Sequence, residues 1–236
     1  MNSMQTEFIL HADGESLSCL HLKAREAKGH VLLLHGAGKG NKGRYQSLMD
    51  ELCDSGFDVT AFDFSGHGES SGKLSELSLK RRRYQALHVM RHVRTNDLPF
   101  IVVGFSMSGQ TICDLISDPQ NNIAGIALCC PAAYADNVQD LPFGASLFTE
   151  TIRIPGNWKT SQSFEILRNY KGKILVVTPE VDEVIPQEVT DQILLSCPQI
   201  TTEHTVVSGA PHMLGLWLST HPVERKQVAS AVVRLL

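Results

Sequence analysis

Ser106 closes the run Phe100-Ile101-Val102-Val103-Gly104-Phe105-Ser106 and is followed by Met107-Ser108-Gly109. Apolar, largely β-branched residues lead to a glycine, a serine and small residues, and residues 111–116 can continue as a helix. The pattern predicts a buried strand, a sharp turn and a helix start with Ser106 at the tip, the context of a nucleophile elbow. There the hydroxyl projects from the sheet edge, and the N–H groups of the new helix face the spot where an oxyanion develops. Ser108 falls in the first helical turn, where its hydroxyl is expected to serve the backbone or packing.

Acyl transfer also needs a base and a group that orients it. Among ten histidines, His212 is the candidate base, because Ser208-Gly209-Ala210-Pro211-His212 presents it on a turn after the last apolar strand. His11, His21, His88 and His92 fall within predicted strands, hairpins or helices and read as surface or core residues. The acid should lie between serine and histidine in the chain. Thr178-Pro179-Glu180-Val181-Asp182-Glu183-Val184-Ile185-Pro186 offers three carboxylates after a strand. Asp182, followed by a short apolar step and proline, is preferred, with Glu180 as the alternative.

The elements that must position these residues alternate. Residues 8–10 and 17–22 flank Asp13-Gly14-Glu15 and predict a hairpin. The apolar run 30–34 reads as a strand buried on both faces, and it ends in the glycine-rich loop His35-Gly36-Ala37-Gly38. A helix over 45–55 and a strand over 57–62 follow, then the loop Asp63-Phe64-Ser65-Gly66-His67-Gly68-Glu69-Ser70. A helix over 78–94 presents Tyr84, Leu87, Met90 and Val93 on one apolar face, and its basic run, residues 80–83, reads as a solvated face. Strands are expected at 123–129, 173–178 and 204–207, and helices at 186–196 and 222–236. Between 132 and 170 the periodicity weakens among prolines, glycines and aromatics, which reads as a small lid. Strands alternating with helices argue for a mostly parallel sheet covered on both faces.

The chain of 236 residues is 42% hydrophobic, enough for one substantial core. Its net charge of -4 gives no electrostatic footprint for nucleic acid. No apolar run approaches the ~20 residues of a membrane span, and the N-terminus lacks a secretory pattern. Six cysteines without metal-type spacing fit buried thiols in a reducing cytoplasm.

On four segments the chain resembles the α/β-hydrolases, near the serine aminopeptidase and monoacylglycerol-lipase-like esterase group. They are His35-Gly36-Ala37-Gly38, residues 63–70, Gly104-Phe105-Ser106-Met107-Ser108-Gly109, and the acid and histidine loops. The resemblance implies one domain over residues 1–236 with an eight-stranded, mostly parallel sheet and a lid at about 132–170. It implies a serine hydrolase acting on an ester or thioester through Ser106, His212 and Asp182, with the Ala37 and Met107 N–H groups as oxyanion hole. Phe143, Phe148 and Trp158 would line the substrate wall of the lid. No metal or organic cofactor is implied. The partner is a small ester or acyl substrate, with no nucleic acid and no integral membrane segment, and a homodimer stays open. An amidase or peptidase on the same residues, or a non-catalytic binding protein of the same fold, are the alternatives. Two departures stand out: the family usually has glycine where this chain has Ser108, and often His-Gly or a glycine near Thr178-Pro179.

Overall fold

The computed structural model describes residues 4–236. The predicted hairpin forms from β1 (Met4–Ala12) and β2 (Glu15–Lys23), paired antiparallel around Asp13 and Gly14. Both turn residues take positive φ, 58° and 73°, as the short Asp-Gly connection requires. The continuous apolar runs become β3 (Gly29–Leu34), β4 (Phe57–Phe62), β5 (Phe100–Phe105) and β6 (Gly125–Cys129), and every residue in these four strands is buried. β7 (Lys173–Val181) and β8 (Thr202–Pro211) complete a sheet ordered β1-β2-β4-β3-β5-β6-β7-β8. β2 meets β4 antiparallel, and from β4 to β8 all pairings are parallel.

Helices cover both faces. α1 (Gln46–Asp54), α7 (Leu214–Thr220) and α8 (Pro222–Val233) bury Leu48, Leu52, Leu214, Leu218 and Val228 in one core. α2 (Leu79–Val93), α3 (Ser108–Ile116), α5 (Ser163–Asn169) and α6 (Gln187–Ser196) close the other with Val89, Ile112, Leu115, Phe164, Leu167 and Ile193. Within 132–170, α4 (Ser146–Ile152) and short 3-10 turns stand apart, whereas α5 belongs to the helix layer. Among the described residues no helix is long and apolar enough to cross a membrane.

Two expectations about α2 are corrected. Tyr84 is 46% exposed, and the inward stripe is Leu79, Arg82, Gln85, Ala86, Val89, Met90 and Val93. Arg82 lies at the i−4, i−7 and i−8 positions from Ala86, Val89 and Met90, so helical geometry drives it inward with them. The basic run is therefore not a solvated face throughout. Arg82 is 0% exposed, while its neighbour Arg81 bonds Asp13 and Glu15 across the surface. α7 was not anticipated, because Gly215 and the brevity of the segment hide its helical period. The chain then breaks at His221-Pro222 and restarts as α8 with proline in its first turn.

Candidate active site

At the end of β5 the chain reverses direction on Ser106, which takes φ 52°. A non-glycine residue there is strained, as an elbow demands. The turn is fixed by backbone bonds: Ser106 N–H donates to the Cys129 carbonyl (2.8 Å), and the Ser106 carbonyl accepts from Gly109 (2.9 Å) and Ala132 (3.1 Å). Gly104 allows the close crossing of β5 and α3. A Cβ there would lie 2.8 Å from Ile112 Cδ1 and 2.9 Å from Ser108 Cβ.

His212 follows β8 and reaches Ser106 from the C-terminal side of the sheet. Its Nε2 is 3.0 Å from Ser106 Oγ and its Nδ1 is 2.9 Å from Asp182 Oδ2. A carboxylate only accepts, so Nδ1 carries the proton and Nε2 is free to accept from the serine hydroxyl. Asp182 is itself aimed: its Oδ1 accepts from the N–H groups of Val184 and Ile185, both at 2.9 Å. Glu180, the alternative acid, points elsewhere. Its carboxylate accepts from Gly209 N–H (2.6 Å) and Ser208 Oγ (2.9 Å), and these bonds hold it below the usual carboxylate range. It secures β8 where the β7–β8 register shifts between Pro179 and Val181.

The loop after β3 lies directly on the elbow. A Cβ on Gly36 would be 3.2 Å from Ser106 Cβ and 3.3 Å from the Phe105 carbonyl oxygen, so a side chain there would press on the elbow. The N–H groups of Ala37 and Met107 make no hydrogen bond to any described residue. His35 is buried beneath this loop. Its Nε2 accepts from Phe64 N–H (3.0 Å), so Nδ1 donates to the Gly36 carbonyl (2.6 Å). Burial first, and the charge of Arg82 second, hold His35 well below the ordinary histidine range, and it stays neutral.

A cavity of about 510 Å³ opens over Ser106, with Ala37, Tyr45, Tyr134, Ile185, His212 and Leu216 in its wall. It shares Tyr134, Val184 and Ile185 with a second cavity of about 300 Å³ that runs toward Ile152, Ile154 and Trp158. Phe143 and Phe148, expected in the substrate wall, line neither cavity. They pack with Leu79, Met107 and Val138, so they support the elbow side of the site from behind. Trp158 stands edge-on to Phe164 at the far end of the second cavity. Tyr134, Ile152, Ile154, Val184 and Ile185 were missed. They are scattered over two loops and a helix end, and only the closed fold gathers them. A larger cavity of about 640 Å³, with Ile116, Asn122, Ile166 and Tyr170 in its wall, lies where β6 and β7 begin, and neither Ser106, His212 nor Asp182 touches it.

This strand order, with a serine on the turn after β5 and a histidine after β8, is the α/β-hydrolase fold. The likeness to solved structures covers nearly the whole chain. A CIB-like hydrolase from Thermoplasma acidophilum superposes with a TM-score of 0.75 at 15% identity, over 100% of both chains. The thioesterase domain of the curacin biosynthetic pathway gives 0.74 at 17% identity, over 98% of this chain and 99% of that one. At such identities the likeness speaks for the fold alone. The sequence carries the family: the chain belongs to the serine aminopeptidase S33 family, whose sequence model matches residues 25–165. Human (Homo sapiens) monoglyceride lipase is 28% identical over 134 residues, 54% of this chain and 43% of that protein. A monoglyceride lipase homolog of Monkeypox virus is 30% identical over 156 residues, 63% of this chain and 55% of that protein. The chain thus spans about half the length of these curated relatives.

Proposed function

We propose that the chain is a serine hydrolase that cleaves a carboxylic ester or thioester of modest size through an acyl-enzyme. The observation that carries the reading is His212 held between Ser106 at 3.0 Å and Asp182 at 2.9 Å. His212 Nε2 takes the proton as Ser106 Oγ bonds the substrate carbonyl carbon. Asp182 keeps the imidazole in the required tautomer and stabilises its charged form. The Ala37 and Met107 N–H groups, free of other partners, stabilise the oxyanion. The protonated His212 then gives its proton to the leaving alcohol or thiol. Water attacks the acyl-enzyme, passes a proton to the same nitrogen, and the acid departs as the serine is reprotonated.

The apolar side chains that line these two neighbouring cavities favour an acyl group over a polar one. The part of 132–170 outside the helix layer would act as a lid that sets chain-length preference, through Ile152, Ile154 and Trp158 more than through Phe143 and Phe148. The family's description as aminopeptidases favours a second reading, amide cleavage on the same residues. Turnover of an ester and an amide of one acyl group, by the wild type and by Ser106→Ala, tests both. Ester turnover that vanishes in the variant supports the proposal. Amide turnover that exceeds it supports the second reading, and no turnover with no covalent labelling of Ser106 points to a binding protein.

A further inference from the structure

Ser108 fills the slot where the resemblance leads one to expect glycine, and it is fully buried. Its Oγ donates to the carbonyl of His35 at 2.7 Å. Arg82 Nη2 donates both to that carbonyl (2.6 Å) and to Ser108 Oγ (2.8 Å). The guanidinium lies over the Phe64 ring, with its central carbon 3.7 Å from the ring centroid. Among the described residues no carboxylate pairs with it. Burial pushes it down to about 9, which still leaves it charged at neutral pH. An unpaired cation in a core is destabilising unless its hydrogen bonds and ring contacts offset desolvation. Here Nη2 alone makes the hydrogen bonds, to Ser108 Oγ and to the His35 carbonyl that Ser108 also bonds, while Nε and Nη1 have no partner among the described residues; the shared acceptor belongs to the peptide that leads into Gly36 and Ala37.

We propose that Arg82, acting with Ser108 on the His35 carbonyl, is a positioning residue that aims the Ala37 N–H at the developing oxyanion. The inference rests on the proposed hydrolase reading and deepens it. A glycine at 108 leaves the guanidinium one acceptor short and the carbonyl one donor short, so the two side chains act as a unit. Neither touches substrate. Arg82 lies behind the loop, and its influence passes through the His35–Ala37 backbone. The His35 ring bonds the Gly36 carbonyl in the same loop and must stay neutral to accept from Phe64, a state the nearby cation favours.

The test uses Arg82→Met, Arg82→Lys, Ser108→Ala and the Arg82→Met/Ser108→Ala double variant. For each, kcat and KM on an ester are measured beside the affinity of two inhibitors. One is a trifluoromethyl ketone, which adds to Ser106 and forms an oxyanion. The other is a ground-state analogue that forms none. Arg82→Met should lower kcat by about tenfold to a hundredfold, the scale of a misplaced reacting group, with KM little changed. Ketone affinity should fall by the same factor, and affinity for the ground-state analogue should hold. Ser108→Ala should lose less, and the double variant no more than Arg82→Met. Arg82→Lys should recover part of the loss, since one ammonium reaches one carbonyl. If Arg82→Met does not fold, Arg82→Lys and Ser108→Ala carry the same readout. Ketone affinity within about twofold of wild type in folded variants, against the ~100-fold a misaimed group can lose, overturns the inference and leaves the hydrolase reading standing. A wild type that neither turns over esters nor reacts with the ketone overturns both.

Discussion

Two loops meet over Ser106, and they are held by opposite means. On the acid–histidine side the acid is aimed locally and the side chains are partly open to solvent. Asp182 is aimed by the N–H groups two and three residues further on, and the His212 and Asp182 side chains are 15% and 14% exposed. On the side of the loop after β3 the contacts are buried and remote. Arg82 and Ser108 grip the His35 carbonyl from 47 and 73 residues away in the chain. A local loop motif can be read from a short stretch of sequence. A grip assembled from three separate segments cannot, because no one segment contains its reason.

The first way to break this comparison is to remove the shared centre. Ser106→Ala or His212→Ala should each cut ester turnover by ~10⁴-fold or more, and the double variant should add little, because the residues act as one unit. Steady-state rates at matched folded protein check this. Near-wild-type turnover in either single variant would remove the centre itself.

The acid side is sharpened next. Asp182→Asn should cost about 10⁴-fold in kcat by favouring the wrong histidine tautomer. Glu180→Gln, which alters only a surface pin on β8, should stay within about twofold of wild type. The reverse ranking would mean that the loop serves His212 through the other carboxylate.

The crossing beneath both loops is tested by Gly104→Ala. The added methyl would press on Ile112 and Ser108 and should destabilise by ~1–3 kcal/mol. Urea denaturation measures the change, and an unchanged midpoint would mean the crossing is looser than its distances imply.

Acid should trouble the buried side through its histidines. His35 and His67 are held below the ordinary histidine range by burial first and Arg82 second, and His21 and His204 by burial. Below about pH 6.5 the unfolded chain binds protons on these rings that the folded chain refuses, so stability falls as pH drops through that value. Asp114, pushed up to about 6 by burial, works the other way, since its contribution is present in acid and lost as pH rises through that value. Four histidines against one carboxyl predict a lower urea midpoint at pH 5 than at pH 7. The drop should shrink in Arg82→Met, where one cause of the suppression is gone. A midpoint that rises on acidification would contradict this balance.

Much of the fold was legible because β3 to β6 are buried on both faces and so read as unbroken apolar runs. The elbow was legible because Gly104 and Ser106 are local requirements of one turn. Asp182 could be preferred over Glu180 from its place before Val184-Ile185-Pro186, and the structure brings Asp182, not Glu180, to His212. Arg82 was misread because charge normally signals solvent, and only the helical spacing to Ala86, Val89 and Met90 argued otherwise. Phe143 and Phe148 were read as cavity wall from composition alone. Their burial against Met107 depends on how the segment after β6 folds back over α2, which no local pattern encodes.

The proposed hydrolysis requires Ser106, driven by His212, to be the reacting group. Peptide mass spectrometry after treatment with a fluorophosphonate tests it most directly. One adduct is expected, on Ser106, abolished in Ser106→Ala and strongly slowed in His212→Ala. An adduct on Ser108, or none on the folded wild-type protein, would contradict it.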